Sequence, residues 1–297
     1  MTDTTATAAP VARPEPGYVR MLKSVLLLRE SPVGMVGFGL VTFWVLVAVL
    51  APLISPYPPN ATLVPLLTPG SAAPDGGTFF LGTDHIGRDI LSRVIYGSQA
   101  VLIYAPLATA CAYLVGVFMG LASGYYGGWM DDGLPFLVNV ILSFPVMVLY
   151  VVIISTFGAS GLNIVLAVTF ASAPGIMRIV RGLVLDLRSR DYVAAAQTRG
   201  ESSWRIMLVE ILPNARGPLI VDACLRMGYT AITIGALGFL GLGLPPPDPD
   251  WGGMIAETRQ MAMVFPHMVI YPCLAISSLV LGFNLLADGL REVSLRD

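Results

Sequence analysis

The charged residues of this 297-residue chain are few, and where they cluster decides what chemistry is open to it. Asp84, Arg88, Asp89 and Arg93 fall in one short run, GTDHIGRDILSR, while Asp222 and Arg226 stand four apart in the order that favours an intrahelical ion pair. Acids and bases arranged this way neutralise and position one another. Neither group sets a nucleophile beside a base, and no constellation for nucleophilic, metal or acid–base catalysis emerges. His85 and His267 are lone histidines in different loops and read as structural. Cys111, Cys224 and Cys273 lie far apart inside apolar runs, with neither metal-ligand spacing nor a disulfide framework, and read as small buried hydrophobes. Lys23 is the single lysine, so a Gly-rich phosphate loop of the Walker A kind, which needs a lysine after its last glycine, is excluded. Any ATP hydrolysis that drives this protein belongs to another chain.

The other polar interval is DYVAAAQTRGESSWRIMLVEILPNARGPL, Asp191 to Leu219. A short helix is expected over Tyr192 to Thr198, with Ala194, Ala195 and Ala196 leaving little side chain between the backbone and whatever lies against it. Gly200 suits a left-handed helix stop, and Ser202-Ser203 can cap a second helix over Trp204 to Leu212, ended by Pro213. The expectation is a smooth elbow of two short helices.

These two polar stretches need elements to hold them, and the rest of the chain is apolar. It is 55% hydrophobic and 12% charged, with a mean hydropathy of +0.75, against roughly 25% charged in soluble domains. The fold expected is all-α, a polytopic membrane protein of six transmembrane helices. Residues 1–30 form a tail, disordered at its Thr/Ala/Pro-rich start and without the basic start and apolar core of a signal peptide; residues 31–297 form the membrane domain. Gly34 to Ile54 is span 1, long enough for a core of roughly 30 Å. A proline-rich loop follows, and Phe79 to Gly97 closes it as an amphipathic segment suited to lying along the interface, with Ile86, Ile90, Leu91, Val94 and Ile95 on one face. Ser98 to Ser123 makes span 2. The 45 uncharged residues from Gly133 to Met177 overshoot one crossing and are split at Gly158 to Gly161 into spans 3 and 4. Span 5 runs from Leu219 to Leu244, and its Gly235, Gly238, Gly241 and Gly243 favour close helix packing. After a loop opening on three prolines, His267 to Ala287 makes span 6. On this topology, 14 basic residues fall on the side of the termini and 3 on the other, so the positive-inside rule places both termini and the loop 178–216 in the cytoplasm, with loops 55–97 and 245–266 outside.

Four stretches resemble those of the membrane permeases of binding-protein-dependent ABC importers. Ala195, Ala196, Gly200, Leu212 and Pro213 match the EAA loop of that family, whose leading glutamate is Ala194 here and whose apolar residue two before Leu-Pro is Glu210. Gly82, Thr83, Asp84, Gly87, Arg88, Asp89, Ser92 and Arg93 match the GTD-x-x-GRD-x-x-SR signature of its dipeptide and oligopeptide branch, specifically the second permease. The block GFLGLGLPPPDPDWGGMI and the terminus ADGLREVSLRD resemble the same branch, with Ala287 in place of a glycine.

The resemblance implies a type I importer permease fold in a bacterial cytoplasmic membrane, and a chain that is not itself an enzyme. Its partners would be a homologous permease, two ATPase subunits that bind the ATP and Mg, an extracytoplasmic substrate-binding protein and membrane lipid, with no nucleic acid. Tyr192 to Pro213 would be the ATPase-coupling loop, and Ala196→Arg would uncouple it by bulk. The GTD signature either anchors span 2 or touches solute. Asn139 of span 3 and Gly235, Gly238 and Gly241 of span 5 are candidates for pore lining. The cargo is a peptide or a related solute such as glutathione, a nickel complex or an opine. A secondary transporter and a non-catalytic assembly factor are the competing classes; the first calls for more ionisable groups at mid-membrane, the second has no use for a glycine-hinged elbow.

Overall fold

The computed structural model describes residues 31–294, so the expected basic tail and Arg296 lie outside the described residues. The first helix, α1 (Pro32–Val49), starts where Ser31 accepts the Gly34 amide at 3.3 Å and Pro32 enters the first turn, where no amide is needed. One more turn, α2 (Ala51–Ile54), completes the crossing predicted for span 1. The chain then covers one end of the bundle as irregular loop, carrying a small antiparallel hairpin of β1 (Ser71–Ala72) and β2 (Thr78–Phe79).

The interfacial amphipathic segment expected over Phe79 to Gly97 does not form. A single 37-residue helix, α3 (Ile90–Tyr126), begins at the cap Asp89 and takes Ile90, Val94 and Ile95 straight into the bundle. Ile86 stays in the loop, 43% exposed. The apolar stripe is a core face, because Trp251 and Trp44 pack over it.

Span 3 is also corrected. It is two helices, α4 (Gly128–Leu142) and α5 (Val146–Phe157), bent by 84° at the break between them. Pro145 occupies that break, and proline disfavours helical geometry in the residue before it. After the Gly158 turn comes α6 (Gly161–Leu187), and beyond the elbow an uninterrupted helical stretch that ends as α9 (Leu212–Phe239); the elbow's own helices are described below. A short crossing helix, α10 (Trp251–Thr258), and α11 (His267–Ser294) complete the chain. Among the described residues five helices are long and apolar enough to span a membrane, or six if the bent α4–α5 pair is one crossing.

The most extensive packing joins α3 to α6. Gly116, Gly120 and Gly124 recur every four residues on α3 and receive Ile176, Val180 and Val184, which recur every four on α6. A Cβ on any of the three glycines would stand 2.6 to 2.8 Å from the opposing side chain. With no difference in polarity between lipid tails and leucine, such close backbone approach is what holds helices together in a bilayer. Large apolar side chains such as Phe136, Val152 and Leu166 face outward, 56–70% exposed.

Candidate functional site

At one end of the bundle the elbow forms as α7 (Asp191–Thr198), a left-handed turn at Gly200 with φ +75°, and α8 (Ser203–Arg205) capped by Ser202. Sequence reasoning ends the second helix at Pro213, and this is not what happens. Residues Ile206–Ile211 wind as a π-turn that runs into α9, with the Leu212 amide donating to the Met207 carbonyl. The wider turn makes room for the Pro213 ring, and the Asn214 side chain donates to the Glu210 carbonyl at 2.6 Å. The second arm of the elbow is therefore a rigid extension of α9 rather than a separate short helix.

The three alanines divide. Ala196 is fully buried with Val193, Ile206, Met207 and Ile211, so it packs the elbow's own core; Ala194 and Ala195 face outward. Beside them Trp204, Leu208 and Val209 are 42–56% exposed on the second arm. Tyr192 is half-buried at the root of α7, and burial pushes its hydroxyl pKa up. Glu210 belongs to an ionic cluster that ties the two arms: Arg199 lies 2.8 Å from Glu201 and 3.7 Å from Glu210, and Arg205 3.4 Å from Glu201. Nothing in the pattern of the motif marks that cluster, which needs both arms folded before its members meet.

At the opposite end the GTD signature forms a buried polar hub. Thr83 donates to the Val64 carbonyl at 2.6 Å and accepts the Leu67 amide at 2.9 Å. Asp84 accepts the amides of Ile86 and Arg88 and the Arg88 Nε at 2.5 Å, while Arg88 Nη2 donates to Glu257 of α10. Asp89 caps α3 through the Ser92 amide and hydroxyl, and burial raises its pKa. Ser92 in turn accepts the Tyr57 amide. Arg93 reaches Pro59, Asn60 and Pro247 at 3.2–3.4 Å. Gly82 and Gly87 take φ of +80° and +92°, which bends the loop around these groups. The hub thus pins both long loops to α3. His85, read as lone, comes within 4.8 Å of the carboxylates of Asp84 and Glu257, but Arg88 already ion-pairs with both acids.

Next to the hub, Trp251 is fully buried, donates to the Val94 carbonyl at 2.9 Å and fills the space left by Gly97. Asp250 caps α10 through the amides of Gly252 and Gly253, and burial pushes its pKa up to about 6. Gly238 and Gly243 are glycine because the Asp250 carboxylate lies where a Cβ would be; Gly235 is overlain by Gly252 and Ile276. The reading of Gly235 and Gly238 as pore lining is therefore corrected to helix packing, and Gly241 is a helix stop with φ +77°. Asn139 accepts a hydrogen bond from Arg178 at 2.6 Å, joining α4 to α6.

The bundle interior holds a charged pair that the sequence marked and a cavity that it did not. Asp222 and Arg226 pair at 2.7 Å, as their spacing favours, and the Tyr113 hydroxyl donates to Asp222. Beyond them lies a cavity of about 160 Å³, lined chiefly by hydroxyl-bearing side chains from α3, α5, α6 and α9.

A helical membrane bundle with a polar loop hub at one end and a glycine-hinged elbow at the other is the permease fold of type I ABC importers. A chain of the MetNI methionine ABC transporter, solved in inward-facing conformations, superposes with a TM-score of 0.56 at 17% identity, covering 69% of this chain and 97% of that one. Residues 112–296 match the family of binding-protein-dependent transport system inner membrane components, and residues 25–74 match the N-terminal membrane domain of oligopeptide transport permease C. The chain is 35% identical over 265 residues to the dipeptide transport system permease protein DppC of Alkalihalophilus pseudofirmus, covering 89% of this chain and 86% of the relative. It is 38% identical over 213 residues to the glutathione transport system permease protein GsiD of Pectobacterium atrosepticum, covering 72% and 71%. The chain belongs to the binding-protein-dependent inner-membrane permease family.

Proposed function

We propose that this chain is the second permease of an ATP-driven importer, pairing with a homologous permease and moving peptides or a related small solute inward. The observation that carries the reading is the elbow. It offers a smooth face, Ala194 and Ala195, flanked by exposed Trp204, Leu208 and Val209, on an arm continuous with a spanning helix. Exposed apolar side chains rimmed by charge on a rigid mount are what a protein partner's groove recognises. The partner is an ATPase subunit on the cytoplasmic side, one of two, and it holds the ATP and Mg. Both termini then face the cytoplasm, in agreement with the distribution of basic residues.

In this reading the hub end faces outward and receives solute from a soluble binding protein. Nucleotide binding favours one of two bundle packings, and α9, as the rigid lever of the elbow, transmits the choice. The names of the relatives support dipeptides or glutathione as cargo. Nickel complexes and opines remain alternatives of the same machine, since the binding protein selects the solute.

The test uses proteoliposomes holding this chain with its co-purified partners, and a Thr198→Cys variant in whole cells. ATP-dependent uptake, with the introduced thiol closed to impermeant reagents in intact cells, supports the reading. Uptake that ignores ATP, or labelling of the elbow from outside, sinks it.

A further inference from the structure

The cavity inside the bundle has the makings of a ligand site. Tyr150, Ser172, Thr230 and Thr233 supply hydroxyls, and the only formal charge on its wall is Arg226. Its counter-ion does not share the wall: Asp222 holds Nε from behind at 2.7 Å and is itself held by Tyr113. The guanidinium is thereby fixed with its Nη edge toward α6, where Gly175 leaves the room; those two nitrogens lie 3.5 and 3.6 Å from the place a Cβ there would occupy. Arg226 stands in the middle of α9, thirteen residues or about 20 Å from its Phe239 end, so the charge is held deep in the bundle. A charge at such depth requires either full neutralisation or an aqueous path, and here it has a partner on one side and a cavity on the other.

We infer that this cavity is a transient docking site for a carboxylate, the end group of the solute as it passes. A guanidinium edge with two parallel N–H donors matches a planar two-oxygen anion, and hydroxyls supply further donors at no charge. The volume is ample for a carboxylate and a short side chain, so at least one end of the solute can enter. Tyr229, 65% exposed, marks the mouth on the bundle surface. The Asp222 pairing keeps the site weakly positive, so a carboxylate binds and leaves, as a translocating ligand must. This inference deepens the importer reading and rests on it for the carboxylate's origin.

The test places a cysteine at Thr233 in the assembled transporter, with Cys111, Cys224 and Cys273 replaced by Ala. Its reaction rate is compared for an anionic and a cationic methanethiosulfonate of equal size, and ATP-driven uptake is followed with Ala-Ala and with Ala-Ala amide. The anionic reagent is expected to react at least tenfold faster, Ala-Ala to slow it and the amide not to. Arg226→Lys keeps the preference, whereas the double variant Asp222→Asn/Arg226→Gln, which leaves no buried charge unpaired, abolishes it. Equal rates for the two reagents, or a preference that survives the double variant, overturn the site even if ATP-driven uptake is intact. A charge preference together with uptake indifferent to ATP upholds the anion site and sinks the importer reading instead.

Discussion

At the hub, Thr83, Asp84, Arg88, Asp89, Ser92 and Arg93 are each at most 6% exposed and each is bonded within the chain; at the elbow, Ala194, Ala195, Trp204 and Val209 turn outward and stay exposed, Trp204 with one ring edge against Phe118. Both regions carry a dense motif, and the sequence alone invites the same weight for both. Burial separates them. Charges taken out of water must be matched by partners close at hand; of these six residues only Arg93 keeps a buried nitrogen, Nε, without one, and the bonded remainder works as a clamp on two loops. Apolar surface left in water has the opposite meaning: it is unfinished packing, to be completed by another molecule.

The sharpest way to break this contrast is to remove the centre of the clamp. Arg88→Ala leaves Asp84 buried and Glu257 unmatched, and truncating one partner of such a network costs about 3–5 kcal/mol. Loss of folded chain in detergent, read by thermal unfolding and protease resistance, is expected. An unchanged Tm would mean the hub is not the clamp described.

At the elbow, two adjacent alanines test outward against inward. Ala195→Arg is expected to leave Tm unchanged and to cut ATP-driven uptake more than tenfold. Ala196→Arg forces a cation among Val193, Ile206, Met207 and Ile211 and is expected to lower stability by roughly 3 kcal/mol or more, so that it fails through folding rather than docking. Equal stability of the two variants would place both side chains on the same face, contrary to their burial.

That pair also shows how far the sequence can be read. The elbow's existence, its Gly200 stop and its Ser202 cap follow from local backbone chemistry and are legible. The division between Ala195 and Ala196 is not, since three alanines in a row carry no amphipathic signal; only the later arrival of Ile206 and Ile211 against α7 assigns the faces. Pro213 misleads for a related reason: a π-turn before it absorbs the missing donor. The same limit applies at Gly235 and Gly238, where small residues announce close approach without saying whether a helix, a loop or a solute comes near. Gly116, Gly120 and Gly124 carried a readable four-residue period. In so apolar a run that period does not stand out from the hydropathy. The cavity at Arg226 needs four helices at once and has no local signature.

A smaller effect comes from pH. Asp250 is buried at the helix cap, and its carboxyl titrates near 6 instead of the ordinary 3.8. The folded chain therefore binds this proton more tightly than the unfolded one. Its stabilising contribution is complete below about pH 4 and is lost as pH rises through 6, a loss of about 3 kcal/mol by neutral pH. Asp250→Asn keeps an acceptor for one of the Gly252 and Gly253 amides and removes the charge, so the decline of Tm between pH 4 and 7 should flatten. A wild-type Tm that climbs over that interval would reverse the sign and disprove the assignment.

The smallest effect lies at the elbow's hinge. Gly200 has open space around it, so a methyl group meets no clash there; what it meets is φ of +75°. Gly200→Ala is expected to cost about 1–2 kcal/mol from backbone strain alone, and Gly200→Asn less, because asparagine tolerates left-handed geometry. Stability in that order, glycine above asparagine above alanine, is what a conformational role demands. A steric role, with the docking partner pressed against a bare backbone, predicts instead that asparagine harms uptake more than alanine while Tm hardly moves. Measuring both quantities on both variants thus tells whether this residue belongs with the inward-facing half of the motif or with its outward-facing half.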